Sequence, residues 1–272
     1  MMSRMRRGLA WIALGMSVSI VGCQTVQTTR GGEVGVDRRQ TMLVSSAEVD
    51  AAAKQQYAQI VEEAQKKGTL NRDPATTERV RRIAQRLIPH TAVFRDDAPR
   101  WQWEVNVLTS SDVNAWCMPG GKIAVYTGLV EKLKITDDEL AAVMGHEISH
   151  ALREHARERM TRQAVTGVGL AVVEVLTGVQ LGDVGQMLAQ SMFVLPNSRE
   201  SEQEADRIGV ELAARAAYDP RAAVTLWNKM QSLGGSQPPQ WLSTHPSHES
   251  RVKDLQNYSQ RVLPLYEKAA KS

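Results

Sequence analysis

The pentad His146-Glu147-Ile148-Ser149-His150 constrains this chain more than any other stretch of it. Residues four apart on an α-helix lie one above the other on a single face, so a helix here stacks two imidazoles with a carboxylate beside them. Burying those three groups is costly unless a shared partner satisfies them, and a divalent metal ion is such a partner. Chance yields the pentad in roughly one chain in a hundred of this histidine content, so the flanking residues matter. Thr136-Asp137-Asp138-Glu139 has the form of a capping box, and Leu140, Val143, Met144, Ala151 and Leu152 follow at helical spacing. One helix is therefore predicted from about Asp137 to Arg162, with the pentad inside it.

Zinc accepts imidazole nitrogen and carboxylate oxygen, and a catalytic site keeps a fourth position for a water whose pKa falls to about 7. His146 and His150 are the expected ligands of one Zn2+ per chain. Glu147 is the expected general base, taking a proton from the attacking water and passing it to a leaving amine. The third ligand is not supplied downstream on the same helix: Arg153 and Ala156 stand where the metzincin pattern needs glycine and histidine. His155, nine residues past His146, points to the opposite side of a regular helix at about 100° per residue and reads as a solvated histidine.

A carboxylate from a second helix is needed, and Ser198-Arg199-Glu200-Ser201-Glu202-Gln203-Glu204-Ala205-Asp206 offers four. Ala205, Ile208, Gly209, Leu212, Ala213 and Ala216 form an apolar stripe that, extended back one turn, lands on Glu202. Glu202 thus faces inward as the third ligand. Asp206 lies one turn beyond, placed to hydrogen-bond a ligand histidine. Glu200, Glu204, Arg207, Glu211 and Arg215 fall on what reads as a solvated face, so Glu204→Ala is expected to be near normal.

Four motifs in order then resemble one family. Asn114-Ala115-Trp116, Pro119-Gly120-Gly121-Lys122-Ile123-Ala124-Val125-Tyr126-Thr127-Gly128-Leu129, the pentad, and Ser198-Arg199 with Glu202 and Asp206 are similar to the HtpX, Oma and CAAX-prenyl-protease group of zinc metalloendopeptidases. Within that group they look most like the periplasmic lipoprotein members of the YggG/LoiP and BepA type, over about Leu43 to Arg251. The resemblance implies a zincin-like domain in which His146, His150 and Glu202 bind zinc and Glu147 is the base. The chain departs from the multi-spanning members in lacking their transmembrane helices, and is expected to stop short of a tetratricopeptide array. Ser243-Thr244-His245-Pro246 resembles the segment that carries a regulatory histidine in the BepA type, which makes His245 a candidate removable fourth ligand. His245 and Arg251 are also the candidates for stabilising an oxyanion.

Arg4, Arg6 and Arg7 precede an apolar run from Leu9 to Val21, and Ile20-Val21-Gly22-Cys23 ends it. That reads as a lipoprotein signal peptide over residues 1–22, with Cys23 as the lipidated residue. Gln24 after the cysteine favours, by resemblance to bacterial lipoproteins, lipid anchoring in the outer membrane facing the periplasm. Removing the signal's three arginines leaves 30 basic against 30 acidic residues, which gives no support to nucleic-acid binding. Cys117 alone then remains, so no intrachain disulfide is expected and one large core must carry stability. Residues 23–45, rich in Thr, Gly and Arg, read as a flexible tether without core contacts, so a chain starting near Ser45 is expected to fold and cleave.

The domain itself, residues 46–272, reads as α+β and predominantly helical, with a small sheet. Ala47–Lys67 and Pro74–Leu87 are amphipathic, residues 101–107 and 122–126 read as strands, and an exposed sheet edge would take a substrate peptide as an added strand. Residues 165–195 read as two helices joined by a turn near Gly182 and lying over the site, with a peripheral membrane or partner contact as the lesser reading. Asp219-Pro220 caps a helix to Leu233, and a last helix starts near His248. The leading function is a zinc endopeptidase acting on unfolded or misassembled envelope polypeptides. The alternative is a periplasmic chaperone or assembly factor serving outer-membrane proteins and their assembly machinery, with a latent protease site.

Overall fold

The computed structural model describes residues 24–166, 181–233, 240–246 and 250–271. The region around the pentad is organised by a three-stranded sheet, β3 Glu104–Leu108, β4 Ala115–Met118 and β5 Lys122–Tyr126, in the order β3-β5-β4. β3 runs parallel to β5 and β4 antiparallel to it. The β4–β5 hairpin turns at Met118-Pro119-Gly120-Gly121, closed by the Gly121 amide donating to the Met118 carbonyl at 3.2 Å. Gly120 and Gly121 have φ of 75° and 82°, which L side chains avoid, and a Cβ on Gly121 would sit 2.7 Å from the Trp103 ring. β4 was not read from the sequence as a strand.

Alternation along these strands feeds two cores. Val107, Ala115, Cys117, Ile123 and Val125 join the larger apolar cluster, whereas Leu108, Trp116, Met118 and Ala124 join a second on the other face. The second cluster is closed by α1 Ser46–Lys66 and α6 Leu181–Phe193, through Val49, Ala53, Tyr57 and Leu188. α2 Pro74–Leu87, with Asp73 as N-cap and proline in its first turn, buries Val80, Ile83, Ala84 and Leu87 in the larger one. Gly182, expected at a turn, lies within α6; the preceding residues 167–180 of that reading fall outside the described residues, as does Cys23.

The pentad helix, α4 Asp137–Leu152, begins at the expected capping box of Thr136 and Glu139 and follows the short α3 Thr127–Leu133. Leu140, Val143, Met144, Ile148 and Leu152 are fully enclosed, each worth about 2 kcal/mol of burial. It does not continue to Arg162. Glu154 takes a left-handed φ of 51°, and a new helix, α5 His155–Thr166, starts beyond it. The second ligand-bearing element is α7 Arg199–Arg215, capped by Ser198, followed by α8 Ala222–Ser232, α9 Gln240–Thr244 and α10 Arg251–Ala269. No helix among the described residues is long and apolar enough to cross a membrane.

Residues 24–44 correct the expected tether. β1 Gln24–Val26 pairs antiparallel with β2 Gln40–Met42, and Val34, Val36, Met42 and Val44 are buried. The Val34 amide donates to Glu211 Oε2 at 3.0 Å, and the Leu43 amide to Thr161 Oγ1 at 3.0 Å. Arg38 pairs with Glu158 at 2.7 Å and Glu204 at 2.5 Å. The segment is a strap across α5 and α7. Its valines are buried in two different clusters, Val34 and Val36 in the larger and Val44 in the second.

Candidate metal centre

α4 and α7 meet at two glycines. A Cβ on Gly145 would stand 2.8 Å from the Gly209 carbonyl oxygen, and one on Gly209 would stand 2.8 Å from the His146 backbone nitrogen. This close approach lets side chains one and two turns away on α7 reach the pentad. Glu202 Oε2 lies 3.6 Å from His146 Nε2 and Glu202 Oε1 3.4 Å from His150 Nε2, with the two Nε2 atoms 3.0 Å apart. His146, His150, Glu202 and His245 each bring one ligand atom within 4.8 Å of the others. The inward phase expected for Glu202 is what the structure shows, at 0 % exposure.

The donor set fits a metal ion. Glu202 is fully buried, and its one close charged partner among the described residues besides the histidines is Arg251, whose Nη1 stands 2.7 Å from Oε2. A buried carboxylate paired only with Arg251 and facing two imidazole nitrogens is costly, and a divalent ion in a nitrogen–oxygen site lowers that cost. Each histidine has its other nitrogen engaged. His146 Nδ1 donates to Asp206 Oδ1 at 2.9 Å, as expected for Asp206, and His245 Nδ1 faces the Trp241 carbonyl at 3.0 Å. Burial raises the Asp206 carboxyl, but Arg251 and His146 overcome it and hold it down at about 2.

Glu147 is buried between α4 and α9. Trp241 Nε1 donates to its Oε1 at 2.8 Å, and His245 Nε2 is 3.6 Å from the same atom. Burial raises its carboxyl to about 7 against the opposing pull of His146 and Trp241. Trp241 also stacks on His245, centroids 4.6 Å apart at 15°. Trp241 was missed in the sequence, though its spacing of four from His245 repeats that of the pentad histidines. Asn114 and the β4 residues Trp116 and Cys117 share a cleft with Glu147, His150, Phe193 and His245, so the side of this strand left unpaired among the described residues faces the site.

Three sequence readings are corrected here. His155 is buried, not solvated: the left-handed Glu154 re-phases the chain and brings His155 Nδ1 to 2.8 Å from His150 Nδ1. Glu204 and Glu211 are also buried, because the strap covers the face of α7 that periodicity assigned to solvent. Glu204 receives His155 Nε2 at 3.0 Å and Arg153 Nε at 2.9 Å. Burial opposes its ionisation, yet His155, Arg38 and Arg153 hold it at about 2. Arg251, a candidate oxyanion donor, is instead enclosed with Nε 2.7 Å from Asp206 Oδ2 and its guanidinium 3.9 Å over the Trp227 ring. Its charge serves the two carboxylates of α7.

A pentad helix, a carboxylate helix packed against it and a sheet edge beside both define a zincin-like metallopeptidase domain. The chain belongs to peptidase family M48, whose model matches residues 74–259. Enzymes of this family are zinc-dependent, in agreement with the ligand cluster. The chain is 41% identical over 167 residues, 60% of its length, to the mitochondrial metalloendopeptidase OMA1 of Arabidopsis thaliana, covering 33% of that protein. It is 35% identical over 213 residues to the mitochondrial metalloendopeptidase OMA1 of Bos taurus, 72% of this chain and 40% of that one. It is 29% identical over 204 residues to the beta-barrel assembly-enhancing protease of Escherichia coli K12, 71% of this chain and 41% of the other. The chain thus spans between a third and about two fifths of these relatives.

Proposed function

We propose that the chain is a zinc endopeptidase in which His146, His150 and Glu202 hold the metal and Glu147 is the general base. The observation that carries this reading is the fully buried Glu202 carboxylate facing two imidazole nitrogens, with a second buried carboxylate one residue from His146. Bound there, zinc would supply Lewis-acid polarisation of a peptide carbonyl and acidify a water. The chain's own groups supply the rest. Glu147 accepts the water's proton and returns it to the leaving amine, and the free side of β4 receives the substrate backbone as an added strand, which selects extended rather than folded polypeptide. His245 is a fourth, removable ligand that keeps the site idle by meeting the metal cluster, while Trp241 holds the base by a hydrogen bond.

The substrates proposed are unfolded or misassembled envelope polypeptides, with Cys23 as lipid anchor to the periplasmic face of the outer membrane. The lipobox in the sequence and the likeness to the beta-barrel assembly-enhancing protease support this placement. Glu147→Gln should abolish cleavage of unfolded casein while about one zinc per chain is retained, and Glu202→Ala should lose both. Zinc loss in the Gln variant would reject the division of roles. Retained envelope function in it would favour the chaperone reading. Cys23→Ala should abolish fatty-acid labelling, and His245→Ala should raise basal cleavage; persistent labelling, or an unchanged or lower rate, would reject each assignment.

A further inference from the structure

His155 has no part in three ligands and a base, yet its ring is buried against one of the ligands. Glu204, gripped by Arg38 and Arg153, is an acceptor only, so the proton between Glu204 Oε2 and His155 Nε2, 3.0 Å apart, belongs to His155. A neutral imidazole carries one N–H, which leaves His155 Nδ1 as a lone pair. As the ligand atom facing Glu202 and His146, His150 Nε2 carries a lone pair, which puts the proton of its ring on Nδ1. Across the 2.8 Å that separates the two Nδ1 atoms, His150 must therefore be the donor. Its Nε2 stands 3.4 Å from Glu202 Oε1 and 3.0 Å from His146 Nε2.

We propose that His155, backed by Glu204, is a positioning residue that fixes the tautomer and ring orientation of His150 for metal binding. This rests on the reading of His150 as a ligand. The two ligand histidines are set by different devices: Asp206 accepts directly from His146 Nδ1 at 2.9 Å, whereas His150 meets its carboxylate through an intervening imidazole. The longer route ties the ligand to the N-terminal strap, because Arg38 Nε lies 2.5 Å from Glu204 Oε1 and Arg38 Nη1 2.7 Å from Glu158 Oε1. It also depends on the helix break, since only the left-handed Glu154 turns residue 155 back toward residue 150.

The test is zinc affinity of the full chain, read by competition with a chromophoric chelator and so independent of proteolysis. His155→Leu leaves His150 Nδ1 without an acceptor and should weaken zinc binding by about 10- to 100-fold. His155→Asn places a carbonyl oxygen where Nδ1 was and should recover affinity to within about threefold of the parent. Long-range 1H–15N spectra of the metal-free chain should show His150 protonated at Nδ1. A His155→Leu chain that binds zinc as tightly as the parent, an Asn variant no better than Leu, or His150 protonated at Nε2 would each overturn the assignment. A parent chain that binds no zinc would overturn the metal centre and this assignment with it.

Discussion

Gly209→Ala tests whether the spacing of two helices, rather than the ligands alone, makes the metal centre. The added Cβ would lie 2.8 Å from the His146 nitrogen, 3.0 Å from the Gly145 carbonyl carbon and 3.1 Å from the His146 Cα. All three are backbone atoms of α4, so no rotamer change relieves them. Ordinary carbon contacts begin near 3.5 Å, and α4 and α7 must part by roughly 0.5–1 Å. Metal–ligand distances tolerate about 0.2 Å, so carrying His146 away from Glu202 by that much should weaken zinc binding at least about tenfold. Overpacking should also cost the metal-free fold about 1–3 kcal/mol. The sign is diagnostic, because alanine in place of glycine inside a helix otherwise stabilises by about 1 kcal/mol. Chelator competition and thermal melting of the metal-free chain read the two effects. A Gly209→Ala chain that melts higher and keeps its zinc affinity would refute the argument.

Glu204 is held near pH 2 against an ordinary 4.5, so its contribution is complete above about pH 4.5 and is lost as pH falls toward 2. The difference corresponds to stabilisation on the order of 3 kcal/mol. Denaturant titrations at pH 7 and pH 3 should show Glu204→Gln flattening the acid decline relative to the parent; parallel declines would reject it. Truncation to Ser45 should lower the melting temperature, because the Val34 and Val36 contacts and both Arg38 ion pairs go with the strap; an unchanged melt would show the strap to be dispensable. Trp241→Phe removes the hydrogen bond that helps keep Glu147 ionised, so the acid limb of kcat/KM should move to higher pH; an unmoved or lowered limb would reject that role.

What was legible in the sequence depended on phase within one element. Thr136 with Glu139 marked the start of α4, the amphipathic pattern from Pro74 to Leu87 gave α2, and the small-residue stripe of α7 put Glu202 inside. Misreadings came where a second body decides the environment. Periodicity assumes that one face of α7 meets water, but a strap distant in sequence brings Arg38 to that face and buries Glu204. β4 was lost because Ala115–Met118 is covered on both faces and does not alternate in polarity. The end of α4 was lost because Glu154 adopts a left-handed backbone with neither glycine nor asparagine to announce it.

The strap's anchors also order events in time. Arg38 must find Glu158 and Glu204, 120 and 166 residues downstream, and Val34 must find Glu211, 177 residues away. Contacts of such separation wait for a long loop to close and for both partner helices to exist. The first described stretch to leave the ribosome is thus among the last to dock, and the wall behind His150 closes only once α7 has been made. A growing chain therefore lacks the finished candidate metal centre until most of the domain is present.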